Sequence, residues 1–165
     1  MNEVLKRLEN TILGEDNSLV YSIFEGRTEL VKKHFQKSLE VFTLLEKNEE
    51  PRVGKYFIRD TFLLVDIVKS FLIFSPISES QNKFLHDYLE FMVNINNAVI
   101  HDKQLQNDIL LAIRLVDFQI STVELIEVLR EWRLYLNKVL NVRPPAYKLA
   151  EHYLKVLREE IENDK

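Results

Sequence analysis

Residues 55–75 are apolar on nearly every side of a helical cylinder. With 3.6 residues per turn, Lys55, Arg59, Asp66, Lys69 and Ser70 fall on one narrow strip. Of the remainder only Asp60 and Thr61 are polar. A helix with so thin a wet face is normally wrapped by its neighbours, so this stretch is expected to sit at the centre of a helical domain. Arg59, Asp60, Asp66 and Lys69 each cost about 2.5–3.5 kcal/mol near the middle of a bilayer, which argues against a membrane span.

The flanking sequence carries the same period. Val31, Phe35, Leu39, Phe42 and Leu45 recur at three- and four-residue steps, as do Leu85, Tyr88, Leu89, Met92, Ile95 and Val99. Breaks fall at short intervals. Gly14 is placed to end a helix over 2–13 with a left-handed residue, Gly26 ends a short helix after it, and Pro51 marks Glu50 as a boundary. Ser78 and Gln81 have the spacing of a capping box, as do Ser121 and Glu124, while Asp102 can cap a helix over 103–118. Further helices are predicted over 122–141 and 146–163. Nowhere does a strand-like alternation persist. The expected fold is all-α: a single domain over 1–165, with short N-terminal helices in 2–25 and a main antiparallel bundle in 28–163, six or seven helices in all.

Composition narrows the chemistry. The 165 residues include no cysteine, which excludes disulfides, thiolate nucleophiles and thiolate metal sites. Three glycines, far apart, cannot form a glycine-rich phosphate loop. The four histidines lie in no Glu-x-x-His arrangement, so no metal or other cofactor is expected, and surface positions are the default for them. The opening MNEVLKRLEN lacks the basic and then apolar regions of a secretory signal, and a cytoplasmic location is the expectation.

Three functional readings follow. The abundance of large apolar side chains beside so little site chemistry points to a non-catalytic helical binding or scaffold module, a small accessory subunit with a protein partner or a second copy of itself. The locally basic segment 130–148 offers a nucleic-acid surface through Arg130, Arg133, Lys138, Arg143 and Lys148, although the whole chain carries a formal charge of −4. Finally, Arg27 and His34 bracket six residues in RTELVKKH. That pair resembles the metal-independent ribonuclease motif of HEPN domains, which are small helical bundles. The resemblance implies His34 as general base and Arg27 as stabiliser of phosphate charge; solvated helical turns are the other reading of the same spacing.

Two buried polar candidates stand apart from these. Asp60 lies on the apolar side of its helix and is expected to pair with Arg114 or a neighbouring helix end. Asn96 lies on the apolar side of its own helix and is expected to fix register, as buried amides can.

Overall fold

In a computed structural model, which describes residues 2–75 and 77–121, the periodic segments are helices throughout. They are α1 (Asn2–Leu13), α2 (Ser18–Ile23), α3 (Thr28–Glu46), α4 (Lys55–Phe74), α5 (Glu79–Ile95), a π-helical segment (Asn96–Ile100) and α6 (Lys103–Ser121). The described residues contain no strand, and none of their helices is long and apolar enough to cross a membrane. The segments 122–141 and 146–163 lie outside the described residues.

Local chemistry sets most of the boundaries. The α5 capping box is complete: the Gln81 backbone N–H donates to Ser78 Oγ at 3.1 Å, and the Ser78 N–H donates to Gln81 Oε1 at 2.9 Å. Asp102 caps α6 by accepting the Leu105 N–H at 2.8 Å. Gly26 holds φ at +81°, where a side chain is strained, and a Cβ there would also press to 3.2 Å from the Tyr21 ring.

Three boundaries differ from the sequence reading. Gly14 ends α1 outside the left-handed region; a Cβ at that position would collide with the Asn10 carbonyl oxygen. Helix α3 stops at Glu46 instead of Glu50, because Asn48 takes φ of 57° and turns the Glu49 N–H back onto the Leu44 carbonyl at 2.9 Å. Helix α6 runs through Ser121, the residue expected to cap the next helix.

Packing also places the centre differently. Eight of the seventeen residues of α5 are buried, against seven of twenty in α4. Helix α5 is bounded by α1, α4 and α6, whereas α4 leaves Tyr56 and Leu63 in water. Hydrophobicity all round a cylinder shows what a helix could bury, and the neighbours decide what it does bury. Along α5 runs a column of rings. Tyr88 meets Phe24 edge-on at 5.4 Å and Phe84 at 5.7 Å; Phe91 continues the column to Phe35 at 5.3 Å and Phe42 at 5.8 Å. Helices α4 and α6 are joined besides by the nearly buried ion pair of Lys69 and Asp108 at 3.4 Å.

The end of α5 is built on one amide. Asn96 is buried, and its Nδ2 donates to the Asp102 carbonyl at 2.9 Å and to Gln106 Oε1 at 3.2 Å. Its Oδ1 accepts the Asp102 N–H at 2.9 Å. The same residue's carbonyl accepts the His101 N–H at 2.7 Å, an i to i+5 bond that closes the π-helical turn. His101 then reverses the chain in the left-handed region, at φ of 57°.

Candidate functional site

Arg7, Asn10 and Thr11 are neighbours on the surface of α1 at three- and four-residue spacing, and Lys83, His86 and Asp87 are neighbours on α5 for the same reason. The two faces meet because Leu8 and Ile12 of α1 are fully buried in the core that α5 supplies. An open groove of about 820 Å³ lies between them. Its apolar lining comes from Leu8, Leu19 and Phe84; its polar lining comes from Asn10, Thr11, Ser80, Asn82, Lys83 and His86, with Arg7 and Asp87 at the rim.

The groove is held in shape by bonds between helices. Arg7 grips Asp87 with two parallel hydrogen bonds, Nε to Oδ2 at 2.8 Å and Nη2 to Oδ1 at 3.1 Å. That carboxylate holds the Arg7 guanidinium above its ordinary range. Gln81 donates to Ser22 Oγ at 3.3 Å and ties α5 to α2. Buried Asn82 donates to the Val116 carbonyl at 3.2 Å, and His86 Nε2 lies 3.0 Å from Asp117 Oδ1; both fasten α5 to α6. Lys83 is exposed and forms no ion pair among the described residues.

His34 occupies a different environment from the surface one expected of it. Only 4% of the residue is exposed. Its ring lies flat on Phe57, and its Nε2 is 2.7 Å from Thr61 Oγ1. The Thr61 hydroxyl spends its proton on the Phe57 carbonyl at 2.8 Å, so it accepts from the imidazole, and Nδ1 is left as an acceptor with no partner among the described residues. Burial pulls the His34 pKa down to about 4, against a smaller opposing pull from Asp60. The ring is therefore neutral at pH 7. Arg27 is exposed at the N-cap position of α3, so this arginine and histidine do not share a surface.

Asp60 pairs with its chain neighbour Arg59 at 3.2 Å, and not with Arg114, which is exposed. The carboxylate is partly wet, so a surface guanidinium suffices to satisfy it. Arg130, Arg133, Lys138, Arg143 and Lys148 lie outside the described residues. Among the described residues no three of His, Asp and Glu converge as a metal site. Comparison with protein-family models, curated proteins and solved structures finds no match to the chain.

Proposed function

We propose that this chain is a non-catalytic helical binding module, a subunit of a larger assembly, whose α1–α5 groove receives an acidic segment of a protein partner. The observation that carries this reading is the groove itself: an apolar floor of Leu8, Leu19 and Phe84 beneath the unpaired ammonium of Lys83. A segment laid along it would bury an apolar side chain on that floor and bring a carboxylate to Lys83. Arg7 is already clasped by Asp87, so the rim is ordered before binding and less side-chain freedom is lost on contact.

The test is site-directed cross-linking from Asn10 and Lys83 followed by mass spectrometry, with nuclease-treated controls. A partner protein joined through an acidic stretch, and lost in the Asn10→Trp plus Lys83→Glu variant, supports the reading. Capture unchanged by that variant, cross-links only between copies of this chain, or capture abolished by nuclease would overturn it.

A further inference from the structure

A second surface, independent of the groove, lies at the start of α4. From Arg52 to Arg59 the chain carries three cations, Arg52, Lys55 and Arg59, and no carboxylate, within a protein whose overall formal charge is −4. All three are exposed, and neither Arg52 nor Lys55 has an ion-pair partner among the described residues. Tyr56 stands among them, 61% exposed on the most apolar helix of the described chain. The Lys55 ammonium lies 5.3 Å from its ring centroid and the Arg59 guanidinium carbon 4.9 Å. Asp60 orients that guanidinium from the side at 3.2 Å. Leu63 is 37% exposed two turns along the same face and extends the apolar strip beyond the ring.

A flat ring held out in water among cations matches the two halves of a nucleotide. The ring and the guanidinium plane are stacking platforms that any base can use, and the cations neutralise the phosphates on either side of it. A duplex hides its base faces and would gain only the charge contacts, so the exposed ring selects an unpaired strand. An acidic peptide would likewise use the cations and leave the ring without a flat partner. We propose that the first two turns of α4 bind single-stranded nucleic acid, with one base stacked at Tyr56 and the backbone held by Arg52, Lys55 and Arg59.

Fluorescence anisotropy of the full chain against a fluorescein-labelled, mixed-sequence single-stranded oligonucleotide, as DNA and as RNA, tests this over a series of salt concentrations. Tyr56 and its neighbours are exposed, so the variants leave the core intact, and circular dichroism checks that they do. Tyr56→Ala is expected to weaken binding about tenfold and Tyr56→Phe to preserve it, because the stacking face survives in phenylalanine. Lys55→Ala plus Arg59→Ala is expected to lower the slope of log affinity against log salt by up to about two. Absence of binding to either strand, equal affinity for duplex, equal competition by polyglutamate, or binding that ignores Tyr56→Ala and is lost instead in Arg130→Ala plus Arg133→Ala would each overturn the proposal. None of these outcomes depends on the groove between α1 and α5.

Discussion

The imidazole of His34 is stacked on the ring of Phe57, with centroids 4.5 Å apart and planes 7° from parallel. The stack joins α3 to α4 and leaves no room for water around the imidazole, which is why its proton affinity is so low. The unfolded chain restores the ordinary histidine pKa of about 6.5. Between that value and about 4 the unfolded state binds more protons, so stability falls as the pH drops through this window and is fully present above it. The cost is on the order of 3 kcal/mol by pH 4. Asp66, whose carboxyl burial raises above its ordinary range, acts in the opposite sense. Urea melts between pH 7 and pH 4 should show the net acid limb, and His34→Phe, which keeps the stack and removes the titration, should flatten it.

Tyr88 makes a second prediction. Its hydroxyl is fully buried in the aromatic column and has no partner among the described residues. Burial drives the phenol further above its ordinary range, so it is never ionised in the fold. Tyr88→Phe removes an unsatisfied polar group while keeping every ring contact. It should raise stability by about 1 kcal/mol, read as a higher denaturant midpoint at unchanged slope.

The Asn96 amide is held from three sides, and its loss should be felt beyond its own position. Asn96→Ala strands the Asp102 N–H and carbonyl in a partly buried turn and should cost about 2–3 kcal/mol. Hydrogen exchange should quicken at Asp102 and Leu105 before it quickens at Tyr88. Equal acceleration everywhere would show that the amide supports the whole fold and not the turn between α5 and α6.

The left-handed residues give a matched pair of opposite sign. His101→Gly relieves an L-residue held at φ of 57° and should stabilise by about 0.5–1 kcal/mol. Gly26→Ala forces a Cβ into the same region and against the Tyr21 ring, and should destabilise by about 1 kcal/mol or more. Thermal melts of the two variants check both signs.

Much of the fold could be read residue by residue because its signals are local. The capping box of Ser78 and Gln81, the Asp102 cap and the apolar stripes on α3 and α5 all act within a turn or two of chain. The burial of His34 also had a signal, since Val31, Phe35 and Ser38 flank it on the buried side of α3. What escaped were relationships across the chain. The union of Arg7 with Asp87 joins residues 80 positions apart, and no spacing rule connects them. The exposure of Tyr56 and Leu63 depends on which neighbours reach α4, which periodicity does not specify. The π-helical turn follows from where Asn96 finds its partners, not from any preference in the segment itself.

The clasp between Arg7 and Asp87 has a consequence for how the chain is made. Helix α1 leaves the ribosome well before α5, yet the surface it docks against belongs to α5. Until that later segment emerges, Leu8 and Ile12 have no dry place to go. The nascent amino-terminal helix must wait, greasy side out, for a seat not yet synthesised, and any truncation upstream of Asp87 would leave it waiting.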